Sequence, residues 1–264
     1  MKNHKGFSLG LVSFALICLC LSLAGRSFAQ DQIQKAKIYE DTFQIIDDTD
    51  LYGSFYMLEE GKPMPDIRVI GAERMNEKSM LTDQDLIYLN KGKADNLEIG
   101  QIFQIIGLEV KVPPYGTVAW RRGRARIIRL EEKVATAKIE RSFGPVNVGD
   151  YLMPFEAGEG ETGRDPGYDQ MDPNASKRGQ VIYIDTARRL SGPGQWALIN
   201  MGRQQCVQIG DRLTLFHRAK PQLPREACGS MIVIDVRGAT STVKIISARE
   251  AVEAGDEVQL KEAR

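Results

Sequence analysis

Between residues 67 and 260 the apolar positions fall in short runs separated by Gly, Pro, Asn and Asp. VATAKIERS (134–142) shows the pattern most plainly. Val134, Thr136 and Lys138 alternate with Ala135, Ala137 and Ile139, the period-two mark of a half-buried strand. Further strands are predicted at IRVIGAERM (67–75), LIYLNKG (86–92), IFQII (102–106) and YLMPF (151–155). TVAWRRGRARIIRL (117–130) reads as one long strand, or two bent near Gly123. A second series occupies QVIYIDTA (180–187), WALINMG (196–202), DRLTLFH (211–217) and EVQL (257–260). No segment carries a convincing 3.6-residue period. Upstream, IYEDTFQII (38–46) fits a strand or a short helix, Asp47, Asp48 and Asp50 a turn, and LYGSFYML (51–58) a strand. EEGKPMP (59–65) breaks regular structure. Regularly spaced short strands with turn signals between them predict an all-β chain of small antiparallel barrels or sandwiches.

The two series are copies. Gly123–Asp150 returns without a gap as Gly229–Asp256, with eight of 28 positions identical. These include Thr136/Thr242, Lys138/Lys244, Ile139/Ile245 and the pairs Gly149-Asp150 and Gly255-Asp256. Earlier in each copy, Asn90 and Gly92 match Asn200 and Gly202, and Gly100 matches Gly210. Repeated glycines beside Asp or Gln read as turn framework, with Asp bonding nearby backbone N–H groups. The predicted organisation begins with a leader (1–29) and an N-terminal segment (30–65) packed on the β region beyond it. Module one (66–155), a flexible linker rich in Gly, Pro and acidic residues (156–178) and module two (179–264) complete the chain.

The leader changes the setting. Lys2 and Lys5 precede a mainly apolar stretch from Phe7 to Leu23, and Ser27-Phe28-Ala29 places small residues for cleavage before Gln30. The rival reading is a retained membrane anchor. Cleavage implies export, to the periplasm or an outer-membrane association. The 35 basic residues balance the 35 acidic ones over the full chain, which gives no sign of nucleic-acid binding. In an oxidising compartment the remaining pair, Cys206 and Cys228, is expected to form a disulfide closing a loop of about 20 residues, worth roughly 3 kcal/mol. A redox dithiol or a metal site is the alternative.

The strand ending N-x-G, the I-G-[QD] eight residues on, the Pro-bearing loop, T-x-K-I and V-x-x-G-D together resemble the envelope domain found after LysM modules in exported bacterial proteins. They are also similar to the C-terminal domain of the flagellar assembly protein T family. The resemblance covers about 67–155 and 179–260, with no LysM repeat in 30–66. It implies a binding or scaffolding part of the cell envelope, and no reaction.

The candidate chemistry is sparse. The densest charge cluster is Arg121, Arg122, Arg124, Arg126 and Arg129, a candidate face for an anionic polymer or lipid headgroups. The alternative is a solvated strand face with charges that block edge pairing. Module two places Ser230, Ile232 and Asp235 at the positions of Arg124, Arg126 and Arg129, so the fold itself does not require the arginines. Asp47, Asp48 and Asp50, and Asp165, Asp169 and Asp172, lack the full spacing of a calcium loop, so no metal or cofactor is predicted. Beyond the leader, His217 is the single histidine. No nucleophile, metalloprotease or P-loop motif accompanies it. The expected role is a non-catalytic adaptor or structural component whose partner is an envelope protein or polymer. Polyanion or glycan binding through the arginine face is the first alternative, and a carboxylate-based hydrolase the second.

Overall fold

The structure, a computed structural model, describes residues 43–73, 80–158, 161–163, 177–185, 190–217 and 224–261. The leader, residues 30–42, most of the linker, and Asp165, Asp169 and Asp172 lie outside the described residues.

Each module is a closed six-stranded antiparallel barrel. Barrel one contains β3 (Ile67–Ala72), β4 (Leu86–Leu89), β5 (Ile102–Val112), β6 (Gly116–Leu130), β7 (Ala135–Ser142) and β8 (Tyr151–Pro154). Its strands run in the order β6-β5-β8-β3-β4-β7, and β7 closes on β6. Barrel two repeats this with β10 (Arg178–Ile184), β11 (Trp196–Ile199), β12 (Arg212–His217), β13 (Glu226–Val236), β14 (Ser241–Ala248) and β15 (Glu257–Leu260). Closure removes the exposed sheet edges that isolated small sheets must otherwise protect.

The copies agree to the level of register. Leu86 faces Lys138 and Tyr88 faces Thr136 in barrel one; Trp196 faces Lys244 and Leu198 faces Thr242 in barrel two. The bulge between Ile127 and Arg129 recurs between Val233 and Asp235. Bulges bend and twist the long strands, as closing a small barrel requires. Alternate residues fill the interiors: Ala125, Ile127, Ala137 and Ile139 in barrel one, Met231, Val233, Val243 and Ile245 in barrel two.

Two kinds of glycine recur. Gly149 and Gly255 have φ of 97° and 104°, which glycine adopts without steric cost. Gly92 and Gly202 are extended instead, and a Cβ there would come within 2.5 Å of Glu131 O and 2.6 Å of Thr240 N. Close backbone approach, not a left-handed turn, explains that pair.

The N-terminal segment departs from its predicted elements. β1 (Phe43–Ile46) is followed by a short helix, α1 (Asp48–Gly53), and then β2 (Phe55–Glu59), so residues 51–58 do not form one strand. Asp47 caps α1. Its Oδ1 accepts from Thr49 N at 2.8 Å and Asp50 N at 3.0 Å, while Asp47 N donates to Asp50 Oδ2 at 2.9 Å. This reciprocal box turns the expected aspartate turn into a helix start. β2 pairs with the first part of β6, from Phe55 opposite Trp120 to Glu59 opposite Gly116. Within the linker, β9 (Glu161–Gly163) pairs with β1.

Candidate interaction surface

The N-terminal segment sits between the barrels and joins them. Phe55 and Met57 of β2 are fully buried against Val118 of barrel one and Tyr183 and Leu198 of barrel two. Tyr56 packs on the barrel-one side, against Ile106 and Ala119. A strand covered on both faces reads as a continuous apolar run, which explains FYML. Burial of each such side chain contributes about 1.5–3 kcal/mol. Ile45 and Ile46 of β1 and Leu51 of α1 cover Ile232, Ile234 and Ile246 of barrel two. The segment thus packs against side chains of both modules.

Polar contacts fix this packing. Thr242 Oγ1 donates to Phe55 O at 2.8 Å, and Ala239 N donates to Glu59 Oε1 at 2.7 Å. Lys244 Nζ donates to Asp50 Oδ2 at 2.6 Å, and Trp196 Nε1 to Asp50 Oδ1 at 2.8 Å. Asp50 is buried, so these partners offset its desolvation. Alongside lies an ionic core. Asp235 accepts Arg237 Nε at 2.7 Å and Arg237 Nη2 at 2.8 Å, and also binds Arg121. The Arg121 and Arg237 guanidinium carbons lie 4.5 and 4.2 Å from the centroid of the Tyr56 ring. Burial acts to raise the Asp235 carboxyl, but Arg121 and Arg237 outweigh it and hold the group below the usual carboxylate range. Burial pushes the Tyr56 phenol up against the opposing pull of the same arginines.

The predicted arginine face divides. Arg121 is buried in the junction with barrel two, where Ser54 Oγ is a further partner at 2.9 Å. Arg122 binds Asp150 at 3.1 Å and Glu109 at 3.5 Å. Arg124 and Arg126 share Glu140 at 3.3 and 2.5 Å. Arg129 is exposed. Four of the five thus have carboxylate partners within the described residues, and the five do not form one surface.

Asp150 and Asp256 hold their turns as expected, accepting from Asn147 N at 2.8 Å and Glu253 N at 2.9 Å. Each also meets a cation, by different means. Gly107 lets the Arg122 guanidinium lie across β5 to reach Asp150; a Cβ at Gly107 would collide with Arg122 Nε. The register places His217 where Gly107 stands and Cys228 where Arg122 stands. His217 Nδ1 lies 2.9 Å from Asp256 Oδ1, so the histidine replaces the arginine as partner. The hydrogen bond with Asp256 raises the imidazole pKa.

The expected disulfide is not formed: Cys206 and Cys228 are both free thiols. Cys206 caps a 3₁₀ turn in the left-handed conformation with φ 56°, is exposed, and stands where Asn96 does in barrel one, with φ 62°. Cys228 lies inside barrel two with its Sγ 3.6 Å from Leu215 O. One thiol faces out and the other faces the core. Burial pushes the Cys228 thiol up to about 11, which leaves it protonated and unreactive at neutral pH.

Among the described residues, two cavities open on the junction. The larger, about 390 Å³, is lined by Tyr56, Gln104, Arg121, Ile209, Asp235 and Arg237 among others. It also includes Glu156, but the oxygens of Asp235 are committed to the two guanidiniums. The smaller, about 190 Å³, is lined by Phe55, Trp120 and Trp196 with Asp185 and Gln195. Among the described residues no cluster of three or more His, Cys, Asp or Glu could hold a metal ion, and no helix is long and apolar enough to cross a membrane.

Several residues of this junction, Tyr56, Trp196, Asp235 and Arg237, carried no signal in the sequence. Thr242 and Lys244 did: both are identical in the two copies. Comparison with protein-family models and with curated proteins gives no match.

Proposed function

We propose that the protein is an exported, non-catalytic part of the bacterial cell envelope, acting as an adaptor or structural component. The observation that carries this reading is the junction itself. The outer face of barrel two binds an extended, aspartate-capped segment through apolar packing, a threonine–backbone bond and a buried lysine–aspartate pair. A barrel whose outer wall holds a chain segment in this way is suited to gripping other segments. The envelope assignment draws on the predicted leader and on the resemblance to LysM-associated and flagellar assembly protein T domains. Affinity capture from envelope extracts with the chain from Gln30 onward tests it: a specific, stoichiometric partner is expected, and recovery of none overturns it.

A second reading, binding of a polyanion such as an anionic glycan or lipid headgroups, is supported by Arg124, Arg126 and Arg129. These line one outer wall of barrel one beside Lys138. Arg121 and Arg122 have no place in it, because they are engaged at the junction and at Asp150. Retention on an anionic matrix that is lost in Arg126→Ser/Arg129→Ser supports that reading; retention unchanged by those substitutions rejects it.

A further inference from the structure

The docking wall of barrel two has a counterpart on barrel one, where Tyr88 and Ile128 are exposed among the described residues. In barrel two, Leu198, Ile234, Thr242 and Lys244 form the wall on β11, β13 and β14 that receives residues 45–58. The shared register places Tyr88, Ile128, Thr136 and Lys138 at the same points of β4, β6 and β7. Thr and Lys, the two residues that hold the segment by hydrogen bond and ion pair, are identical in both copies. Their surroundings differ. Leu198 is 0% exposed and Tyr88 36%, Ile234 is 3% exposed and Ile128 43%, and Thr242 is buried where Thr136 is half-buried.

Charge differs in an informative way. Ile232, Ser230 and Asp235 of barrel two become Arg126, Arg124 and Arg129, and Ile246 becomes Glu140. The wall of barrel one keeps the gripping residues and carries more positive charge than the wall already occupied. Its occupant therefore needs at least the acidity of the segment on barrel two, whose Asp47 and Asp50 both approach Lys244. Apolar side chains must succeed the acidic turn to meet Tyr88 and Ile128, as Phe55 meets Leu198.

We propose that the β4–β7–β6 wall of barrel one is a second docking site, which takes an acidic segment of a partner protein built like the chain's own residues 45–58: an aspartate-capped turn followed by an aromatic or aliphatic strand. The site rests on the adaptor reading above and names the surface and the partner chemistry it uses. Residues 45–58 of the same chain are already seated on barrel two, so that segment is not free to fill the second site.

The test uses a synthetic peptide of residues 45–58, added to the chain from Gln30 onward and followed by calorimetry and by NMR shifts on barrel one. One saturable site is expected, weakened at least tenfold by Lys138→Glu, by Tyr88→Ala, or by Asp47→Asn/Asp50→Asn in the peptide. Both protein variants alter partly exposed side chains, and their unfolding transitions confirm that they remain folded. Absence of saturation up to millimolar peptide overturns the proposal. So does binding that ignores Lys138→Glu and Tyr88→Ala, since that reports exchange at barrel two. Binding of anionic lipid vesicles in place of the peptide, lost with Lys138→Glu, assigns the wall to a polyanion and also overturns it. A partner captured from envelope extracts equally well by the Lys138→Glu chain leaves the adaptor reading standing while this site fails.

Discussion

Replacing Asp235 with Asn removes a carboxylate that holds two guanidiniums at the junction. In the native chain Asp235 receives Arg237 through two N–H groups at 2.7 and 2.8 Å, and Arg121 from the other barrel. Asn keeps the shape but offers one acceptor oxygen, and turns an NH₂ toward donors that accept nothing. Arg121 is buried, so its charge is left unpaired away from water. Breaking a buried pair by removing one partner costs about 3–5 kcal/mol. For a chain of this size each kcal/mol lowers Tm by about 2–4 °C, giving an expected drop of about 6–20 °C. Arg121→Met alone is also destabilising, and a double-mutant cycle with Asp235→Asn isolates the cross-barrel term, expected to be at least about 1.5 kcal/mol. The pH dependence has a definite sign. Asp235 has a folded pKa held below its unfolded value, so its contribution is present above the unfolded pKa of about 4 and is lost as pH falls through the folded value. The gap between wild type and Asp235→Asn should therefore be constant at neutral pH and close in acid. A loss under about 1 kcal/mol, additive with Arg121→Met, would refute the reasoning, because contacts that break independently do not couple.

Other consequences concern the duplicated turns and the thiols. His217 should titrate by NMR above about 6.5, and Asp256→Asn should bring it back toward that value. Its stabilising pair is full below about pH 6.5 and fades as pH rises through the folded value. Gly107→Ala should displace the flexible Arg122 guanidinium from Asp150 at a cost of about 1 kcal/mol, and Gly107→His/Arg122→Cys should recover part of it by importing the arrangement of barrel two. Thiol titration of the chain from Gln30 onward should find Cys206 reactive in the native state and Cys228 only after unfolding; a protein with no free thiol after unfolding contradicts the structure.

The barrels were legible because period-two strands and repeated turns are local signals, and the duplication showed them twice. The alternation in VATAKIERS predicts β7, where Ala135, Ala137 and Ile139 are buried and Thr136 and Lys138 are half-buried. The junction was not legible because its chemistry is long-range. Tyr56, Arg121, Asp235 and Arg237 come from three separate stretches, and even Arg121, conspicuous within its arginine cluster, gives no local sign of its partners. LYGSFYML hid a helix–strand break because the cap that starts the helix is supplied by Asp47, just before the run. The cysteines mislead because an even pair behind an expected export leader invites a disulfide; each instead replaces a residue of the other copy, Asn96 at a left-handed cap and Arg122 at an ion pair. The arginines vary between the copies for a reason that lies in the fold: at Arg126 the wall of barrel two carries Ile232, packed under residues 45–51, while the wall of barrel one carries a charge.

Backbone ¹⁵N relaxation on the chain from Gln30 onward tests most directly whether residues 43–59 hold the two barrels as one body. Amides of β3–β8 and of β10–β15 should report a single rotational correlation time, that of the joined unit. Two different times, each that of a lone barrel, would contradict the junction and every inference built on its faces.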